Sequence, residues 1–197
     1  MIRAACIAIS LGLAAGSSAA PVPVHLMPKG DPVCYPLRVG TVCVHQLDGG
    51  EVTFTVTKVE KIAGGHRVAT EVVDGSNGNF KSRQVVIVSG RGVDLIEYNG
   101  QVIDPPVSWL KLPHVENNSW SAKWPQSGTK FDFTTRGWEV VEVPAGRFRA
   151  IKVERVESVD GQAQGTTTYW YSPGLGCIKI AGRSPARVLK SVSFGKD

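Results

Sequence analysis

The stretch Gly137–Ile180, GWEVVEVPAGRFRAIKVERVESVDGQAQGTTTYWYSPGLGCIKI, decides the fold class of this chain. It holds the longest run of strand-forming residues, cut by three turn signals. Val143-Pro144-Ala145-Gly146 and Ser172-Pro173-Gly174-Leu175-Gly176 each place Pro ahead of Gly. Pro presets φ for the first central turn position, and Gly supplies the positive φ that follows. Asp160-Gly161 opens the third signal, read as a loop running on to Gly165. The apolar and β-branched segments between them are Glu139–Val143, Phe148–Val159 and Thr166–Tyr171. They read as successive antiparallel strands of a meander. Within Phe148–Val159 the apolar phase changes, with Phe148 and Ala150 on one face and Ile151 and Val153 on the other. That change predicts a bulge in this strand.

The same grammar extends in both directions. Upstream, Thr41–Leu47, Glu51–Lys61, His66–Val73, Phe80–Ser89 and Val93–Tyr98 read as strands separated by Asp48-Gly49-Gly50, Ala63-Gly64-Gly65, the loop Asp74–Asn79, Gly90-Arg91-Gly92 and the hairpin signal Asn99-Gly100. In Glu51–Lys61, Val52, Phe54 and Val56 alternate with threonines, and the phase slips at Lys58-Val59, which suggests a bulge or a strand that switches faces. Thr129–Val143 resumes strand character with an interruption at Arg136-Gly137, and Ala186–Phe194 is the final strand, after the turn Ala181–Pro185. No segment carries a helical 3.6-residue period. About ten to twelve strands at this spacing predict an all-β fold, an antiparallel meander forming a curved sheet, barrel or half-barrel, with a β-sandwich as the alternative.

The N-terminus reads differently. Met1-Ile2-Arg3, the apolar Ala4–Ala15 and the small residues Gly16–Ala20 follow the order of a secretory signal cleaved before Pro21. The apolar core is too short for a membrane span, which takes about 20 residues. The expected organisation is a signal peptide at 1–20, an extended Pro-rich leader at 21–34 and one β domain at 35–197, exported to the periplasm or beyond the cell. No transmembrane segment is expected in the mature chain. Tyr35-Pro36-Leu37 is placed to pin the leader to the core. The formal charge of +5 falls by one when Arg3 is removed. The remaining Lys and Arg residues are spread along strands, as on the solvated face of a sheet, and form no basic stripe for nucleic acid.

Export leaves Cys34, Cys43 and Cys177 in an oxidising compartment, where one disulfide and one thiol is the simplest arithmetic. Cys34–Cys43 is the favoured pair, since Arg38-Val39-Gly40 can turn the chain between them; Cys43–Cys177 is the alternative. There is no CxxC, and His25, His45, His66 and His114 are scattered, so they read as surface or strand residues rather than metal ligands. No cofactor is expected.

Ile103–Pro125 breaks the pattern. Pro105, Pro106, Pro113 and Pro125 prevent one central strand. Leu110–Pro113 reads as a short edge strand or crossing, and Ser119–Trp124 as another strand. Three of the chain's five tryptophans fall here. Trp109, Trp120 and Trp124 are the candidate ligand-binding residues, lining a pocket or groove for an apolar molecule, a carbohydrate or a cell-envelope component. The competing reading makes them plugs at one open end of a β core, since indoles bury much area.

Catalytic patterns are absent: no G-x-S-x-G, HExxH, P-loop or GxGxxG. The pairs Asp94/Glu97, Glu139/Glu142 and Glu154/Glu157 have odd spacing, which on a regular strand points their members to opposite faces. The functional expectation is a non-enzymatic exported domain that binds a ligand or an envelope partner. The alternative is a hydrolase acting on an envelope or extracellular polymer.

The ordered set Tyr35–Thr41 (YPLRVGT), Leu110–Pro113 (LKLP), Val143–Phe148 (VPAGRF) and Tyr169–Gly176 (YWYSPGLG) resembles a family of uncharacterised secreted bacterial β-proteins. Cys43 and Cys177 stand where that family has an aromatic and an aliphatic residue. The resemblance implies export and a β fold, and brings no activity and no catalytic residues.

Overall fold

In the computed structural model the chain is described over residues 33–78, 80–182 and 186–195. The expected signal peptide, and all but the last two residues of the expected leader, lie outside these residues, as do Arg183, Ser184 and Pro185 of the last turn. The first six strands are β1 (Val42–Leu47), β2 (Gly50–Ile62), β3 (Gly65–Asp74), β4 (Phe80–Ser89), β5 (Gly92–Tyr98) and β6 (Gln101–Lys111). Then come β7 (Ser119–Lys123), β8 (Lys130–Val143), β9 (Gly146–Val159), β10 (Gln162–Ser172), β11 (Gly176–Gly182) and β12 (Arg187–Ser193). The only helical element among the described residues is one 3-10 turn, Gly75–Asn77.

All twelve strands belong to one sheet, in the order β6-β5-β4-β3-β2-β1-β12-β11-β10-β9-β8-β7. Every ladder is between antiparallel neighbours. The sheet curls into a nearly closed barrel. Its first and last strands pair, Cys43 facing Val192, so the meander is open in the middle of the sequence, between β6 and β7. This is the Pro- and Trp-rich stretch.

The turns do what their residues dictate. Asn99-Gly100 joins β5 to β6 with φ of 49° and 79°, the paired positive values of a two-residue hairpin. Asp160-Gly161 has φ of 50° and 77° and is equally tight, so β10 begins at Gln162 and the loop expected up to Gly165 is instead strand with a register shift at Gln164. The slip in β2 is a bulge at Thr57, where the register steps from Val56 to Lys58. The expected bulge in β9 is corrected. β9 pairs without interruption, and the extra residue, Arg136, lies on β8. β9 changes phase because both its faces are covered: Ile151 and Val153 face the main core, and Phe148 and Ala150 face a second cluster with Ile178 and Leu189. The tip of the β8–β9 hairpin is tied to β12 there by the Ala145 amide, which donates to the Leu189 carbonyl at 3.1 Å.

Ile103–Pro125 forms no single central strand, as expected, but the short edge strand expected at Leu110–Pro113 is corrected: its first two residues end a longer one. β6 runs straight through Pro105-Pro106. It can do so because it is an edge strand, and its register with β5 jumps from Val102 to Val107, so neither proline is asked for a ladder amide.

Tyr35 is buried in the main core and accepts a hydrogen bond from Gln84 Nε2 at 3.4 Å, with Thr70 Oγ1 at 3.0 Å. The Val33 carbonyl accepts from the Gly174 amide at 2.7 Å. The Ser172–Gly176 turn thus holds the entering chain inside the barrel. Gly176 has φ +79°, and a Cβ there would point at Pro36 and Tyr35.

Candidate functional site

A cavity of about 570 Å³ occupies the barrel interior, with walls from β1 to β6 and from β8 to β12. It reaches solvent at the end that carries the 3-10 turn, since Asn77 and Phe80 line it and Phe80 is 51% exposed. The lining is mainly apolar and aromatic, with Val52, Phe54, Val72, Tyr169 and Tyr171 among its residues. The charged side chains on it, among the described residues, are Asp74, Arg155 and Arg187.

One wall is basic. Strand alternation puts Cys43, His45 and Leu47 of β1 on the cavity face, and the register sets Arg187 of β12 opposite Leu47. His45 is 4% exposed and stands edge-on to Phe54, with ring centroids 5.1 Å apart. Its Nε2 lies 2.9 Å from the Cys177 carbonyl. A carbonyl only accepts, so Nε2 carries the proton and Nδ1 presents a lone pair. Nδ1 is buried and has no partner. Burial, and secondarily the charge of Arg187, push the His45 pKa down to about 4 against the opposing pull of the Cys177 carbonyl. Arg187 lays its guanidinium over Phe54 at 4.8 Å and reaches the Cys177 thiol, while its Nε is buried without a hydrogen bond. No carboxylate among the described residues pairs with it. Arg155, on β9, stacks over Phe131 at 4.7 Å and Tyr169 at 5.1 Å, with Glu157 Oε2 3.7 Å away. Both guanidiniums act on the Tyr171 phenol, whose pKa burial nevertheless raises well above its ordinary value.

This arrangement is unsuited to nucleophilic chemistry. Burial pushes the Cys34 and Cys43 thiols up to about 12 and raises that of Cys177, so none is a thiolate near neutral pH. His45 bonds a backbone carbonyl rather than a thiol. Nor do carboxylates converge on the cavity, where Asp74 is the sole acid among the described lining residues. The face argument holds for Glu139/Glu142 and Glu154/Glu157, where no register shift intervenes. It is corrected for Asp94/Glu97. Ile96 is skipped in the ladder, and Asp94 and Glu97 face Ile87 and Val85, two residues apart on β4, so both carboxylates lie on one face. Each is already occupied, Asp94 by Ser108 and Glu97 by Arg67 and Arg83.

The three candidate indoles part company. Trp120 is 7% exposed, stacked on Phe133 at 5.2 Å and 5°. Its indole N–H donates to the Ser108 carbonyl at 2.8 Å, a direct bond between β7 and β6. Trp124 is half-buried and edge-on to Tyr98 at 5.8 Å. Trp109, at a register shift on β6, lines the cavity. Of the three, then, the cavity wall includes Trp109.

No disulfide joins the described cysteines, and the expected Cys34–Cys43 bridge is not formed. Cys43 has Phe54 on one side and Val192 on the other as strand partners. Cys34 instead follows the β10–β11 turn into the main core, and the two cysteines belong to different clusters. The alternative Cys43–Cys177 bridge is likewise absent, although both residues line the cavity.

His45, Arg155 and Arg187 were not singled out by the sequence, in which the histidines read as surface or strand residues and the lone cations as a solvated face. The signal was their parity. His45 alternates in phase with Cys43 and Leu47, and Arg155 with Ile151 and Val153.

No family model matches the chain, and no curated protein matches it. Two solved structures share the fold. One, from Bacteroides fragilis, is provisionally described as an exported protein with YmcC-like fold; it superposes with a TM-score of 0.56 at 13% identity, over 81% of this chain and 98% of that one. The other, provisionally described as a lipoprotein from Parabacteroides distasonis, gives 0.54 at 17% identity, over 84% of this chain and 100% of that one.

Proposed function

We propose that this chain is an exported, non-enzymatic β-barrel domain that holds an apolar ligand inside the barrel, in the periplasm or outside the cell. Export is supported by the signal-like N-terminus, by the resemblance to secreted β-proteins, and by the descriptions of the two structural neighbours. The observation that carries binding is the cavity of about 570 Å³, a size typical of small-molecule sites, with apolar walls and a few placed polar groups. Trp109 contacts the ligand in this reading. Trp120 and Trp124 hold the wall behind it, Trp120 stacked on Phe133 and Trp124 edge-on to Tyr98.

The test uses N-phenyl-1-naphthylamine, a neutral probe that brightens in apolar surroundings. The mature protein enhances its emission saturably. Ser82→Trp, which fills the cavity from β4, removes the enhancement while far-UV circular dichroism stays that of a β protein. Lack of enhancement by the unaltered protein, or equal enhancement by the filled variant, would contradict the reading.

A further inference from the structure

Among the cavity's polar groups, two stand out because nothing among the described residues completes them. Arg187 Nε is a buried donor without an acceptor, and His45 Nδ1 is a buried acceptor without a donor. Both side chains meet the same residue, His45 through the Cys177 carbonyl and Arg187 through the Cys177 thiol. Leaving such groups unpaired costs free energy, about 1–3 kcal/mol each and more for a charged one. The wall therefore favours a ligand that supplies an acceptor and a donor side by side. The excess of cations over acids on the lining favours a negative charge on that acceptor.

We infer that the interior cavity takes an amphipathic acid, whose anionic oxygens accept from Arg187, whose neighbouring hydroxyl donates to His45 Nδ1, and whose apolar body lies along Phe54, Val52 and Val72. The inference rests on the reading of the barrel as a ligand carrier and adds the chemical class of the head group. Phe54 serves both parts, with Arg187 stacked on its face and His45 edge-on to its ring. Arg155 lies further along the same wall and adds to the positive potential felt at Tyr171. No covalent step is involved. Binding supplies hydrogen-bond partners to two buried polar atoms that otherwise lack them.

The experiment compares three probes by titration calorimetry: 3-hydroxydecanoate, its methyl ester, and decanoate. The hydroxy acid binds most tightly. The ester binds about 10-fold more weakly or worse, the usual discrimination of a charge-assisted hydrogen bond, and decanoate falls between them. In Arg187→Gln the acid and the ester bind equally, whereas Arg187→Lys retains a preference for the acid. Circular dichroism confirms that each variant is folded, and the probe series on the unaltered protein stands without them. Equal binding of acid and ester by the unaltered protein overturns the anionic head while leaving the carrier reading intact. Decanoate matching the hydroxy acid overturns the role of His45. Failure of all three probes while N-phenyl-1-naphthylamine still binds overturns the amphipathic acid, and failure of that probe as well overturns the carrier reading itself.

Discussion

The tryptophans of the seam and the basic wall of the cavity differ: Trp120 and Trp124 meet partners on the chain, whereas His45 and Arg187 each keep a buried polar atom without one, a deficit found at the seam only at His114 Nε2 among the described residues. Trp120 has its face on Phe133 and its N–H on Ser108, and Trp124 has Tyr98. On the wall, buried His45 has a lone pair unsatisfied and half-buried Arg187 has a buried N–H unsatisfied. Large aromatic side chains attract functional interpretation because they are conspicuous, but an indole whose contacts are all internal is part of the architecture. The functional signal is the reverse, a polar group that has paid for burial and has not found its partner.

The comparison breaks most visibly at Trp120. Replacing it with Ala removes a buried indole and the bond across the seam, and the expected loss is about 3–5 kcal/mol in urea unfolding, the range for large aromatic truncation. Trp120→Phe keeps most of the packing and forfeits chiefly the bond to Ser108, for about 1 kcal/mol. If Trp120→Ala were instead fully stable and defective only in binding, the seam would be the site.

Acid acts on the other region. His45 is neutral in the fold, with a pKa of about 4 against an ordinary 6.5. Below pH 6.5 the unfolded chain binds a proton that the folded chain refuses, so stability falls as pH drops from 6.5 towards 4. The full shift is worth on the order of 3 kcal/mol. His45→Phe should flatten the stability profile across that window, measured as urea midpoints at successive pH values. An unchanged slope would mean that His45 is not buried as a neutral ring.

Trp124→Ala should cost less, about 1–2 kcal/mol, since the ring is half-buried and loses one aromatic pair. The smallest effect is spectroscopic. Filling the cavity should alter the emission of Trp109, so Trp109→Phe loses the ligand-induced change and Trp124→Phe keeps it. The converse would move the site to the outer side of the seam.

Much of the barrel was legible because its turns are local. Asn99-Gly100, Asp160-Gly161 and Pro173-Gly174 declare their geometry in two or three residues, and the phase slip in β2 marked the bulge at Thr57. Features that depend on a distant partner were not legible. β9 reads as bulged because nothing local reveals that the β8–β9 tip folds onto β12 and buries its second face. The prolines of β6 read as strand breakers because edge position is a property of the whole sheet. The same holds for the site. A lone His and a lone Arg, more than a hundred residues apart, meet because β1 pairs with β12. The cysteine pairing failed for a related reason: proximity in sequence suggested Cys34 and Cys43, whereas the closure of the barrel gives both flanks of Cys43 to other strands.

The central claim is that ligand enters beside His45, and nitrogen NMR of ¹⁵N-histidine-labelled protein tests it most directly. In the free protein the His45 ring should show a protonated Nε2 and a bare Nδ1 at neutral pH. Adding 3-hydroxydecanoate should shift the Nδ1 resonance as it accepts a hydrogen bond, with Nε2 unchanged on the Cys177 carbonyl. A ligand that binds while leaving both His45 nitrogens undisturbed would contradict the account.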